Sequence, residues 1–129
     1  MSESAARRIL IVEDNLDSAL SLKMLLEVLG HVVEVAHDGE EGIASAAALR
    51  PDVILMDIGL PGLSGYEAAR RIRTDCKGSP PLIIALTGWG QDQDRRRSAD
   101  AGIDHHLLKP LDLDKLRQIL ASAPPPGAG

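Results

Sequence analysis

At 129 residues the chain has room for one hydrophobic core and not for a second domain of ordinary size. Its formal net charge of -5 argues against nonspecific binding to DNA or to an anionic membrane, both of which need a basic surface. Cys76 is the single cysteine, which excludes an internal disulfide and fits a reducing compartment. Met1-Ser-Glu-Ser lacks the basic and apolar regions of a signal peptide, and no apolar run reaches membrane-span length. A cytoplasmic protein with neither nucleic acid nor membrane as partner is expected. Apolar residues make up 44% of the chain, but Phe is absent and Tyr66 and Trp89 are the only aromatics. Leu, Ile, Val and Ala must therefore fill the core, as suits a parallel sheet covered by helices.

Strand-like and helix-like segments alternate along the chain. Arg8 to Val12 reads as a strand, and Asn15 is a good N-cap for a helix whose Ala19, Leu22, Leu25, Leu26 and Leu29 share a face until Gly30 stops it. Val32 to Val35 is a short strand. Asp38 with Glu41, and Ser64 with Glu67, are capping-box-like starts for the second and third helices; between them Val53 to Met56 is a strand leading into Asp57. Leu82 to Leu86 follows Pro80-Pro81 and leads into Thr87. The segment Gln91 to Ala101 has only alanines as apolar residues, beside Asp92, Asp94, Asp100 and Arg95-Arg96-Arg97. A fourth helix there buries little and is expected to be the least stably held. Leu107 and Leu108 run into Lys109, and Asp112 opens a last helix carrying Leu113, Leu116 and Leu120. Residues 7–122 are expected to form the domain, with an N-terminal tail at 1–6 and a Pro/Gly-rich tail at 123–129. Such alternation implies right-handed crossovers and an α/β fold: a doubly wound five-stranded parallel sheet with five helices.

Four apolar runs thus end in residues that can handle a phosphoryl group or a cation: Glu13 and Asp14, Asp57, Thr87, and Lys109. In parallel strands these ends gather at the carboxyl edge, where open α/β sheets bind ligands. In the flavodoxin-like order 2-1-3-4-5, strands 1 and 3 bring Asp14 and Asp57 close enough to share one cation, and strand 4 puts Thr87 directly beside Asp57. Strand 5 lies about 10 Å away, so its contributor needs a long side chain, and Lys109 has one. Three crowded carboxylates raise one another's pKa and cost stability unless a cation sits among them. Oxygen-only ligands with room for water favour magnesium over zinc. Beside such an ion Asp57 can attack phosphorus and form an aspartyl phosphate, with Lys109 neutralising the transferring group and Thr87 donating to a phosphoryl oxygen. Singly, each residue has a plainer reading: Asp14 or Asn15 as a helix cap, Thr87 as a structural strand end, Lys109 as a surface lysine before Pro110. The four strand ends together, in this chain order, favour one site.

The motifs Ile-Leu-Ile-Val-Glu-Asp-Asn at 9 to 15, Asp-Val-Ile-Leu-Met-Asp-Ile-Gly-Leu-Pro-Gly at 52 to 62, Leu-Thr-Gly at 86 to 88 and Leu-Leu-Lys-Pro at 107 to 110 carry a resemblance. From Arg7 to about Ser122 the chain resembles the receiver domain of bacterial response regulators, the phosphoacceptor module of two-component signalling. The resemblance implies that Asp57 accepts phosphate from a histidine kinase or histidine phosphotransfer protein. It implies that Glu13 and Asp14, assisted by Asp57 and the carbonyl of Gly59, bind Mg2+, with Mn2+ as a second candidate. Thr87 and Lys109 resemble the hydroxyl and lysine of the family's switch. Phosphorylation is then expected to alter the surface of the fourth helix, fifth strand and fifth helix for a downstream protein. The chain is expected to dephosphorylate itself rather than turn over an external substrate, and no output domain is read within it.

Two details refine the resemblance. His106 stands where the family usually carries a Tyr or Phe that turns inward on activation; an imidazole is smaller and chargeable near neutral pH, so coupling there is expected to be weaker or pH-sensitive. His105 and His106 do not read as a metal pair, because adjacent strand residues point to opposite faces. Leu-Thr-Gly-Trp-Gly-Gln with His-His-Leu-Leu-Lys-Pro looks most like receivers attached to hybrid histidine kinases, with Trp89 and Gly59 flanking the phosphoryl position. One rival is an aspartate-based phosphatase of the haloacid dehalogenase type, which would need a second Asp where Gly59 stands. The other is a flavodoxin-like cofactor module, which has no need of Asp14, Asp57, Thr87 and Lys109 together.

Overall fold

The apolar runs form five strands: β1 (Arg8–Val12), β2 (Val32–Ala36), β3 (Val53–Asp57), β4 (Leu82–Thr87) and β5 (His105–Leu108). The computed structural model describes residues 6–75, 80–88, 100–109 and 111–122. Among the described residues four helices accompany the strands: α1 (Leu16–Val28), α2 (Gly39–Leu49), α3 (Gly65–Asp75) and α4 (Leu113–Ser122). Neighbouring strands are all parallel, in the order β2-β1-β3-β4-β5. The expected helix at Gln91 to Ala101 lies outside the described residues except at 100 and 101, which are helical. The tail at 123–129, residues 1–5 of the N-terminal tail, and Trp89 also lie outside them. No helix among the described residues is long and apolar enough to cross a membrane.

Central strand β3 is buried along its whole length, which is why Val53-Ile54-Leu55-Met56 is continuously apolar rather than alternating. Successive side chains still go to opposite faces. Leu10, Val12, Ile54, Met56, Ile83 and Ala85 pack with Ala46 of α2 and Tyr66, Ala69 and Ile72 of α3. Ile9, Ile11, Val53, Leu55, Ile84 and Leu86 pack with Ala19 and Leu26 of α1 and with Leu116 and Leu120 of α4.

The helix starts follow the sequence closely. Asn15 Oδ1 accepts from the Ser18 N–H at 3.0 Å, Asp38 Oδ1 from the Glu41 N–H at 2.8 Å, and Ser64 Oγ from the Glu67 N–H at 3.2 Å. The returning half of the capping box at α2 is shifted by one residue: Glu41 Oε1 accepts from the His37 N–H at 2.9 Å. Gly30 ends α1 at φ +97°, a left-handed conformation that glycine adopts without penalty.

The expected buried face of α1 needs correcting. Ala19 and Leu26 are buried and Leu22 is half-buried, but Leu25 and Leu29 are 49% and 38% exposed. A helix lying on a sheet buries a narrow arc, and at 100° per residue Leu25 projects about a quarter-turn away from Leu26. Leu16, Leu20, Met24 and Val28, at four-residue spacing, are also exposed. The helix is thus apolar well beyond the face that the core uses.

Candidate functional site

Strand register builds the site. Val12 of β1 lies opposite Met56 of β3, so the next residues, Glu13 and Asp57, arrive together at the carboxyl edge. Asp57 lies opposite Leu86 of β4, and Thr87 opposite Leu108 of β5. Sheet-like hydrogen bonds continue past the strands and fix the backbone there. The Glu13 N–H donates to Ala36 O at 3.0 Å, the Ile58 N–H to Leu86 O at 3.1 Å, and the Lys109 N–H to Thr87 O at 2.7 Å.

From β5, Lys109 Nζ reaches both acidic strands, donating to Glu13 Oε1 at 2.9 Å and to Asp57 Oδ2 at 3.2 Å. The second oxygen of Glu13 accepts from the Asn15 N–H at 3.1 Å, and Asp57 Oδ1 accepts from the Gly59 N–H at 2.9 Å. Glu13 and Asp57 side chains are only 4% and 7% exposed, whereas Lys109 is 34% exposed. Oxygens of Glu13, Asp14 and Asp57 all lie within 4.8 Å of one another, with Asp14 open to solvent.

Burial pushes the Glu13 carboxyl above its ordinary pKa, against the hydrogen bonds from Lys109 and from the Asn15 N–H; the nearby Asp57 charge adds to the rise. Burial works to lower the Lys109 pKa, but the hydrogen bond to Glu13 and the charge of Asp57 outweigh it and hold the ammonium charged. The donor set is hard, oxygen-only and partly open to water, which fits magnesium.

The remaining expected residues are placed with more variety. Thr87 is fully buried, one residue beyond the β4 partner of Asp57, and its hydroxyl donates to Leu107 O at 3.4 Å. Thr87 thus follows Leu86 at the end of the strand next to Asp57, one register position further along. His106 is half-buried and paired with Ala85, while His105 is exposed and paired with Ile84, in keeping with opposite faces. Gly59 is exposed, and its N–H is engaged by Asp57. Sequence reasoning had Asn15 only as a helix cap; its backbone N–H also orients Glu13, a role open to any residue type and so invisible in the sequence.

The response regulator receiver domain matches residues 9–121 of the chain. The chain belongs to this family. It is 38% identical over 109 residues to the protein PilH of Pseudomonas aeruginosa, covering 84% of this chain and 90% of PilH. Other curated relatives, transcriptional regulators among them, are longer, and the chain spans 42 to 47% of their length. The receiver domain of sensor histidine kinase PA1611 from Pseudomonas aeruginosa, solved with magnesium coordinated in its active site cleft, matches with a TM-score of 0.81 at 39% identity over 92% of this chain and 98% of that one. A chain in the co-crystal structure of the Saccharomyces cerevisiae phosphotransfer protein Ypd1 and the Ssk1 receiver domain matches with a TM-score of 0.83 at 28% identity, covering 95% of this chain and 91% of that one. The chain is thus a phosphoacceptor receiver domain of two-component signalling, with the flavodoxin-like strand order expected from its sequence. The match to the PA1611 receiver agrees with the expected likeness to receivers of histidine kinases.

Proposed function

We propose that Asp57 is the residue that accepts the phosphoryl group, within a receiver spanning residues 7–122. The observation that carries this reading is the convergence of Lys109 on Asp57 and Glu13 at 3.2 and 2.9 Å, beside three carboxylates within 4.8 Å. Asp57 Oδ2 attacks phosphorus, a new oxygen–phosphorus bond forms, and the bond from phosphorus to the donor's imidazole nitrogen breaks, its electron pair leaving with the imidazole. Glu13, Asp14, Asp57 and the Gly59 carbonyl would hold Mg2+, or in its place Mn2+. The ion would supply charge neutralisation for the phosphoryl oxygens.

Lys109 exchanges Asp57 Oδ2 for a phosphoryl oxygen and so keeps its charge compensated. A hydroxyl carries one proton, so Thr87 donates to the phosphoryl group at the expense of its bond to Leu107 O. That exchange links the site to β5, where His106 sits, and phosphorylation biases the surface of β5, α4 and the preceding segment towards a downstream protein. The domain acts on its own carboxylate, and hydrolysis of the acyl phosphate resets it; no external substrate is turned over. Gly59 in place of a second acid disfavours a phosphatase.

The donor is a histidine kinase or a histidine phosphotransfer protein in the cytoplasm. The Ypd1–Ssk1 complex supports a protein donor. So does the exposed row Leu16, Leu20, Met24 and Val28, which begins beside Asp14 and offers an apolar contact surface next to the site. The test is incubation with magnesium and acetyl phosphate, followed by intact mass measurement. Wild type is expected to gain one phosphoryl group and Asp57→Asn none. A gain in Asp57→Asn, or none in wild type, refutes the assignment. A yellow flavin absorbance would instead favour a cofactor module.

A further inference from the structure

Gly65, the first residue of α3, lies against the backbone that carries the acceptor. A Cβ built there would lie 2.5 Å from Asp57 O, 2.8 Å from Ile58 Cα and 3.2 Å from Asp57 C. All three are main-chain atoms, so no flexible side chain can give way. Conformation is not the reason for glycine here, since the left-handed glycines among the described residues are Gly30, Gly62 and Gly102. Space is the reason. The Gly65 N–H also donates to Ile58 O at 3.3 Å, drawing the start of α3 onto the end of β3.

We infer that Gly65 is a positioning residue of the site: the missing side chain lets α3 close onto the Asp57–Ile58 peptide and so sets where the Asp57 carboxylate stands. This rests on the reading of Asp57 as acceptor. The same short stretch holds the carboxylate from its other side, through the Gly59 N–H at 2.9 Å from Asp57 Oδ1. Moving the Asp57–Ile58 peptide therefore shifts Asp57, its hydrogen-bond donor and the adjoining Gly59 carbonyl together. Ile58 also donates to Leu86 O at 3.1 Å, so the strand cannot retreat without breaking a sheet bond. Room for a methyl group must come from displacing the loop by several tenths of an ångström, and misplacement on the order of 1 Å costs about a hundredfold in a positioned reaction.

The test compares wild type, Gly65→Ala and Gly30→Ala. Gly30 is left-handed with open space around it, so its alanine variant loses stability through backbone strain, far from the carboxyl edge. All three proteins are measured cold in trimethylamine N-oxide, which favours the folded state, with folding checked by circular dichroism. Gly65→Ala is expected to phosphorylate from acetyl phosphate about 10- to 100-fold more slowly than wild type and to bind Mg2+ several-fold more weakly by calorimetry. Gly30→Ala should match wild type in both. Equal rates and affinities in Gly65→Ala and wild type would overturn the inference. So would a Gly65→Ala chain unfolded under these conditions, since the glycine would then hold the fold rather than place the carboxylate. Failure of wild type itself to take up phosphate would instead refute the acceptor assignment.

Discussion

Replacing Lys109 by Met removes the one cation that contacts Glu13 and Asp57 in the described structure, leaving two nearly buried carboxylates without it. Breaking a buried ion pair by deleting one partner costs about 3–5 kcal/mol. Lys109 is one-third exposed, so water screens part of its interaction and the loss should be nearer to about 2 kcal/mol. In a domain of this size that corresponds to a fall in Tm of about 6–10 °C in the absence of divalent metal. Magnesium among the same carboxylates would supply the missing positive charge, so at saturating Mg2+ the loss should shrink to about 1 kcal/mol. Linkage then requires the variant to bind Mg2+ about fivefold more tightly than wild type, even though phosphoryl transfer becomes slower. Calorimetric melts with chelator and with Mg2+, together with Mg2+ titration, measure both sides of this cycle. Equal Tm losses under the two conditions, or weaker Mg2+ binding by Lys109→Met, would refute the argument that Lys109 and the metal neutralise the same charges.

Two further outcomes concern stability away from the site. His31 is buried and its Nδ1 accepts from the Arg7 N–H at 3.1 Å; burial, and then the positive charge of Arg7, hold the imidazole below its ordinary pKa of 6.5. The unfolded chain therefore binds the extra proton first, so this contribution is complete above pH 6.5 and is lost as the pH falls from 6.5 towards the lower folded pKa. Urea unfolding across this window should show wild type losing more stability on acidification than His31→Asn, and parallel curves would refute it. Arg73 donates to Gly102 O at 2.9 Å, to Pro81 O at 2.5 Å and to Asp104 Oδ2 at 2.6 Å, tying α3 to the segments before β4 and β5. Arg73→Met keeps the aliphatic stem but removes all three bonds, leaving Asp104 Oδ2 only the Ile83 N–H, and should cost about 2–3 kcal/mol; a change within about 0.5 kcal/mol, the range of ordinary surface substitutions, would show the tie to be idle.

The sequence by itself determined the strand and helix sequence, the caps at Asn15, Asp38 and Ser64, and the candidate residues Glu13, Asp14, Asp57, Thr87 and Lys109. These are local matters: period, turn chemistry and residue type are written within a few positions of one another, and parallel strands send their ends to one edge. Tertiary structure decided the rest. Lys109 bridging Glu13 as well as Asp57, and Thr87 donating to Leu107 O, depend on register between strands distant in the chain. Leu25 and Leu29 look like core residues, yet they face solvent because the arc of α1 that meets the sheet is set by packing and not by α1 itself. Gly65 reads only as a small residue after a cap until the main chain of Asp57 and Ile58 is seen pressing on it. Contacts between segments far apart in sequence leave no local pattern, so only the folded chain displays them.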